Sequence, residues 1–334
     1  MSERPSVVFA LERRHLPLLF PPEVMSRLTA LADVDPGVVL DPRDPASLDP
    51  LARVDVLITG WGCPPLGRDM LDAAPRLRAV LHTGGSVKSL LAPEGWARGL
   101  VVSSAAAANA LPVAEYTLGM ILLSGKGVFE LRERLRAERS FVLGQVHRSL
   151  GNVGRRVGLI GASRIGRRVV ELLRPFDFDV LLHDPYVTGD EARALGVRKV
   201  ELAELLTESD VVSVHAPATP ETRHLVDRAG LALMRDGAVL LNTSRGSLID
   251  HDALTDELVA GRLRAILDVT EPEPLPAASP LYDLPNALLT PHIAGSHGNE
   301  LRRLGLTAVE ELERLLAGRP LHHRVEHGDL HRAA

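Results

Sequence analysis

The chain predicts an α/β protein of two doubly wound, parallel-sheet domains, and three observations carry that expectation. Its 334 residues exceed the size at which a single hydrophobic core usually stops growing. Up to residue 105, short β-branched runs alternate with turn and helix signals, the pattern of parallel strands joined by crossovers. A longer series of the same kind begins at Arg156.

In the first series the strand candidates are SVVFAL (6–11), VDVLITG (54–60), LRAVLHTGG (77–85) and GLVVSS (99–104), with a Pro-rich stretch between the first two. Residues 105–125, AAAANALPVAEYTLGMILLSG, are good helix formers with Pro112 suited to a first turn, and they mark a domain crossing. The charged ELRERLRAERS (130–140) reads as a solvated helix face. Six strand candidates follow: RRVGLIG, FDVLLHD, SDVVSVHAP, GAVLLNTS, LRAILDVT and NALLTPH, enough for a complete doubly wound nucleotide-binding sheet. The last long segment, GNELRRLGLTAVEELERLLAG (298–318), is amphipathic and stops at Gly318 and Pro320.

Composition excludes several function classes. Hydrophobic residues make up 45% and charged residues 24%, as in ordinary globular proteins. A net charge of -5 without a basic stripe argues against nucleic acid. The single cysteine, Cys63, has no partner for a disulfide or a CxxC site, which fits a reducing cytoplasm. The apolar run at 7–11 is too short for a signal-peptide core, and no stretch approaches the roughly 20 apolar residues of a bilayer span. A soluble, cytoplasmic protein without membrane contact or bound metal is expected.

The run VGLIGASRIG (157–166) follows a strand signal and enters the helix-like RRVVELL. In a dinucleotide fingerprint the glycines tighten the turn, admit a pyrophosphate and let helix pack on strand. Gly161 and Gly166 occupy the outer positions and Ser163 replaces the middle glycine. Its hydroxyl either meets the pyrophosphate or displaces it. Asp184 ends the next strand, where a carboxylate binds adenosine ribose, and its charge favours NAD over NADP.

Three ionisable residues follow late strands: Arg245 in NTSRGSLID, Glu273 in LDVTEPEPLP and His292 in TPHIAG. Ligands of open α/β sheets bind beyond the carboxyl ends of the strands, so these three can converge. Reduction of a 2-oxo acid needs a cation for its carboxylate, a proton donor for its carbonyl oxygen and a group that keeps the donor protonated. Arginine, histidine and glutamate supply those roles. Each also has a structural reading: a surface ion pair for Arg245, a solvated acid for Glu273 with Glu271 as its rival, and a buried, satisfied imidazole for His292.

With these motifs the chain resembles the D-isomer-specific 2-hydroxyacid dehydrogenases. The resemblance runs from LRAVLHTGG to LLAGRPL through VAEYTLGMIL (113–122), VGLIGASRIG, HAPATPETRHL (215–225), LMRDGAVLLNTSRGSLID (233–250), LDVTEPEPLP (267–276) and TPHIAG (290–295). It implies substrate binding by Arg245, acid–base chemistry by His292 and support from Glu273, with Glu271 outside the pattern. It also implies a Rossmann-type cofactor domain (106–296) inserted into a flavodoxin-like substrate domain (1–105 and 297–334), and a homodimer whose apolar helix includes Val113, Leu118, Met120 and Ile121. The implied NAD contacts are Gly161, Ser163, Arg164, Ile165, Gly166, Asp184, His215, Thr243, Ser244, Arg245, Asp268, His292 and Gly295.

Two departures leave the substrate open. One is Ser163. The other is the loop after LRAVLH, which lacks the aspartates many members carry, although the amides of Gly84, Gly85 and Ser86 suit an anion nest. Hydride transfer between NAD(H) and a small 2-hydroxy or 2-oxo acid is the leading function. Oxidation of another small anion, such as phosphite, and a corepressor-like dinucleotide sensor are the alternatives; formate is disfavoured because the resemblance would then require glutamine at Glu273.

Overall fold

The computed structural model describes residues 4–41, 49–140 and 150–330, so the extreme residues of both terminal segments assigned above to the substrate domain lie outside the described residues. The chain divides into two compact units, Met1–Ala110 with Ser296–Ala333, and Leu111–Gly295.

The first unit holds a parallel sheet of β1 (Ser6–Ala10), β2 (Asp33–Val39), β3 (Val56–Thr59), β4 (Ala79–His82) and β5 (Val101–Ser104). Their order, β2-β1-β3-β4-β5, is flavodoxin-like. β3 and β4 are buried throughout, because a parallel sheet is covered on both faces. β2 falls in the Pro-rich stretch and is not among the candidates above. Pro36 cannot donate to a ladder, and the strand is tolerated because it lies at the sheet edge, where its register against β1 shifts between Val7 and Phe9.

Helix Leu301–Leu316 completes this unit, burying Leu301, Leu304, Ala308, Val309 and Leu312 in a core shared with Leu19 and Leu28. The chain beyond it covers the free edge of β5: the Ser104 amide donates to the His323 carbonyl and the Val325 amide to that of Val102. Glu311, almost fully buried, accepts from the amides of His322 (3.0 Å) and His323 (3.1 Å) and so holds that edge segment in place.

Helix Ala106–Gly125 carries the chain into the second unit. Pro112 lies in its interior, not in its first turn, and its missing N–H leaves the Ala108 carbonyl without the usual helical donor. Contrary to expectation, this helix is long and apolar enough, by length and composition alone, to cross a membrane. Val113, Ala114, Thr117 and Ile121 recur at helical spacing and are buried, so part of that apolar character serves a core. Leu118 and Met120 pack against the same core. Of the residues put forward as partner-binding surface, Val113 and Ile121 are buried and Leu118 and Met120 are partly buried.

The second unit is a seven-stranded parallel sheet of β6 (Arg156–Ile160), β7 (Asp179–His183), β8 (Arg198–Lys199), β9 (Val211–Val214), β10 (Val239–Asn242), β11 (Arg264–Leu267) and β12 (Ala287–Leu289). The order β12-β11-β10-β9-β6-β7-β8 is the Rossmann arrangement, reversing direction between β6 and β9. Six of these strands match the sequence candidates; β8, of two exposed residues, has no hydrophobic signature to read.

Glu311→Gln preserves shape but turns one acceptor into a donor facing an amide. Amide hydrogen exchange at Ser104 and Val325 should rise at least about tenfold, with about 1–3 kcal/mol lost in urea unfolding. Unchanged exchange at both amides would show that Glu311 does not hold the edge segment.

Candidate active site

The carboxyl ends of β6, β9, β10, β11 and β12 lead directly into Gly161, His215, Thr243, Asp268 and Thr290. Asp268 organises the last of these loops. It is 2% exposed, and its Oδ1 accepts from Thr290 Oγ1 (2.6 Å) and the Ile293 amide (2.8 Å). Its Oδ2 accepts from the Ala294 amide (2.9 Å), and its carbonyl from the His292 amide (3.0 Å). A buried carboxylate requires such donors, so these bonds dictate the path of the loop.

His292 takes a left-handed backbone conformation within that loop (φ 55°). Its Nδ1 lies 2.8 Å from Glu273 Oε1. An ionised carboxylate only accepts, so Nδ1–H donates and Nε2 is left for another partner. Glu271 is directed elsewhere: its carboxylate lies 2.8 Å from Arg223 and 3.7 Å from His224 Nε2, and Arg223 holds it below the usual carboxylate range. The two acids, rivals by residue type alone, thereby have different partners.

Arg245 is exposed at the end of a turn braced by Asn242, whose Oδ1 accepts from the Ser244 amide (3.0 Å) and whose Nδ2 donates to the Arg245 carbonyl (2.8 Å). Ser244 Oγ donates to the Val214 carbonyl. Gly246 packs so closely on the next loop that a Cβ would lie 2.1 Å from the Thr270 carbonyl carbon. The Arg245 turn and the loop leading to Glu273 are therefore in backbone contact.

At the fingerprint, Gly161 has φ 99°, and a Cβ there would lie 2.7 Å from the Ala216 amide nitrogen. Ser163, with φ -60° and ψ 177°, needs no glycine; its hydroxyl accepts from the Gly166 amide and caps helix Arg164–Leu173. In this structure the hydroxyl serves as the helix cap and keeps its own proton to donate. Asp184 Oδ2 accepts from the Ala162 amide (2.7 Å) and Oδ1 from Tyr186 (2.8 Å), so the acid also braces the turn. His215 lines the turn from beneath: its ring is buried, its Nε2 meets Ser213 Oγ (2.9 Å), and burial pushes it down to about 4, hence neutral. Thr243 and Ser244 are buried beside Arg245, and Gly295 closes the unit.

In the first unit, Gly84, Gly85 and Ser86 follow β4 above His82. His82 meets Thr59 Oγ1 (2.9 Å), and burial pushes it down to about 4. Sequence reasoning missed Asn242, Thr290, Tyr116 and Thr117. Tyr116 and Thr117 lie inside VAEYTLGMIL, a segment that carries helical periodicity and the resemblance but singles out neither hydroxyl.

A family model described as "D-isomer specific 2-hydroxyacid dehydrogenase, NAD binding domain" matches residues 118–294. D-3-phosphoglycerate dehydrogenase from Methanocaldococcus jannaschii is 32% identical over 273 residues, covering 81% of this chain and 51% of that protein. Hydroxypyruvate reductase from Thermotoga maritima is 31% identical over 265 residues, covering 78% and 85%. A phosphoglycerate oxidoreductase from Rhizobium etli superposes with a TM-score of 0.80 at 27% identity over 97% of this chain and 99% of that one. The chain spans about half the length of the phosphoglycerate dehydrogenase.

The buried imidazoles predict an acid-sensitive fold. His215 and His82 stay neutral in the folded chain down to about pH 4, whereas unfolded histidines titrate near 6.5. Between those values the unfolded state binds more protons, so their contribution is complete above about 6.5 and is lost as pH falls through the window. The urea midpoint should drop between pH 7.5 and 4.5, and His215→Gln should flatten that slope whatever its effect at neutral pH. An identical slope in the variant would contradict this account.

Proposed function

The chain belongs to the D-isomer-specific 2-hydroxyacid dehydrogenase family, and on that premise we propose that it reduces a small 2-oxo acid reversibly with NADH. The observation that carries this reading is the His292–Glu273 pair, which leaves Nε2 open, on a loop pairing whose Glu273 side is in backbone contact with the Arg245 turn. The cofactor's fit rests on Gly161, where a side chain would close the turn, and on the helix that starts at Arg164, whose first amides have no intrahelical acceptor. Arg164 and Ile165 would hold the pyrophosphate and Asp184 the ribose, each carboxylate oxygen keeping a second lone pair beside its amide bond. Thr243, Ser244, Asp268 and Gly295 would shape the nicotinamide end. When bound, NADH supplies the hydride.

Arg245 holds the substrate carboxylate with a planar fork that lysine lacks. As negative charge grows on the carbonyl oxygen, His292 Nε2 delivers its proton there. Glu273 stabilises the imidazolium before that transfer and fixes the ring. The amides of Gly84, Gly85 and Ser86 are assigned to the substrate. A homodimer belongs to the same proposal, supported by exposed Leu123, Val128 and Leu135; a monomer mass by light scattering would remove it.

The decisive assay is a panel of 2-oxo acids with NADH, starting from hydroxypyruvate, and 3-phosphoglycerate with NAD, followed at 340 nm. Turnover of none would overturn the proposal. His292→Ala should lower kcat by roughly 10²- to 10⁴-fold with NADH binding retained. Glu273→Gln should move the alkaline limit of reduction to lower pH, because the protonated imidazole loses its support, while Glu271→Gln leaves it in place. Arg245→Lys should raise KM for the oxo acid and lower kcat together. NADH should outperform NADPH in kcat/KM, and Asp184→Ala should narrow the gap through the cofactor KM; equal use of both cofactors by the native chain would refute the role given to Asp184.

A further inference from the structure

One turn of helix Ala106–Gly125 touches both halves of the proposed chemistry. Tyr116 Oη lies 2.8 Å from Thr290 Oγ1, and the adjacent Thr117 Oγ1 lies 3.3 Å from Thr243 Oγ1. The direction of each bond follows from where the protons are already committed. Thr290 Oγ1 spends its proton on Asp268 Oδ1 at 2.6 Å, so the Tyr116 phenol is the donor to Thr290. Thr117 Oγ1 spends its own on the Val113 carbonyl at 2.8 Å, so the Thr243 hydroxyl donates to Thr117. Two polar paths therefore leave neighbouring residues. One runs from Tyr116 through Thr290 and Asp268 to the amides of Ile293 and Ala294, which directly follow His292. The other runs through Thr243 into the turn of Ser244 and Arg245.

We infer that Tyr116 and Thr117 are positioning residues that set His292 and Arg245 in register, Tyr116 acting on the proton donor and Thr117 on the carboxylate clamp. The roles of His292 and Arg245 in this statement rest on the function proposed above. The geometry suits the task. Thr117 is fully buried, and both hydroxyls belong to a continuous helix, whereas the groups they hold are on loops with no regular structure of their own. Burial raises the Tyr116 phenol, outweighing the lowering by its bond to Thr290, so the hydroxyl keeps its proton across the working range. Reacting groups lose rate steeply when displaced by even an ångström, so loosening either path should register in kinetics.

The two paths predict different signatures. Tyr116→Phe removes only the hydroxyl, and kcat for oxo-acid reduction should fall about three- to tenfold, with KM and NADH affinity unchanged and the alkaline limit displaced. Thr290→Val should do at least as much, and the double variant should be no worse than Thr290→Val alone, because both lie on one path. Thr117→Val should raise KM for the oxo acid about three- to tenfold with kcat nearly kept, and Thr117→Ser should restore it. A titration of the His292 ring by NMR in the ligand-free protein, assigned with His292→Ala, needs no turnover; its midpoint should differ from the native one in Tyr116→Phe. That separates the two claims: a native chain that turns over no oxo acid sinks the proposed function, while the ring titration still tests the Tyr116 path. The inference is overturned if Tyr116→Phe leaves both kcat and the titration midpoint at native values. It is equally overturned if the Tyr116 and Thr117 variants lose kcat, KM and stability in parallel, with no rescue by serine.

Discussion

The buried carboxylate of Asp268 is the interaction on which the candidate site depends. A charge removed from water must be met by donors, and in this chain the donors are Thr290 and the amides of Ile293 and Ala294. Satisfying them leaves the loop few alternative paths. The left-handed conformation of His292, unusual outside glycine, is held by the bonds on either side of it. The imidazole is thereby oriented before any ligand arrives, and Glu273 completes the orientation from the loop after β11.

The parallel sheet explains why so many polar residues gather at one end of the second unit. Every strand enters from the same side, so every strand-to-helix turn opens at the same edge, and residues distant in sequence become neighbours there. Fully buried strands such as β9 and β10 contribute only register, while the first residues beyond them contribute chemistry. Asn242 and Asp268, both buried just at or after strand ends, convert that alignment into fixed loop geometry.

Several residues serve the scaffold and the site together. Ser163 caps a helix in the place of a fingerprint glycine, and it can do so because its backbone torsions are open to any L-residue. Asp184 ties down the turn through Ala162 while keeping lone pairs available. Helix Ala106–Gly125 buries apolar side chains and also presents Tyr116 and Thr117 to the loops. Its composition reads as plain helix because the hydrophobic period masks the two hydroxyls within it.

Local pattern alone determined the parallel α/β class, six of the seven strands of the second sheet, the fingerprint turn, and the candidates Arg245, Glu273 and His292, because each depends on residue type over a few consecutive positions. Strand β2 escaped it, since its proline reads as a breaker until the strand is known to lie at an edge. Residue type alone left Glu271 and Glu273 as rivals two positions apart and the family motif favoured Glu273; the fold gives the physical reason, setting Arg223 against the first and His292 against the second. The same holds for Asp268, Thr290 and Tyr116, which are 174 residues apart at the extremes and meet only when the sheet brings its loops together. Contacts between distant segments follow from how strands are ordered in a sheet, and that order is a property of the packed chain.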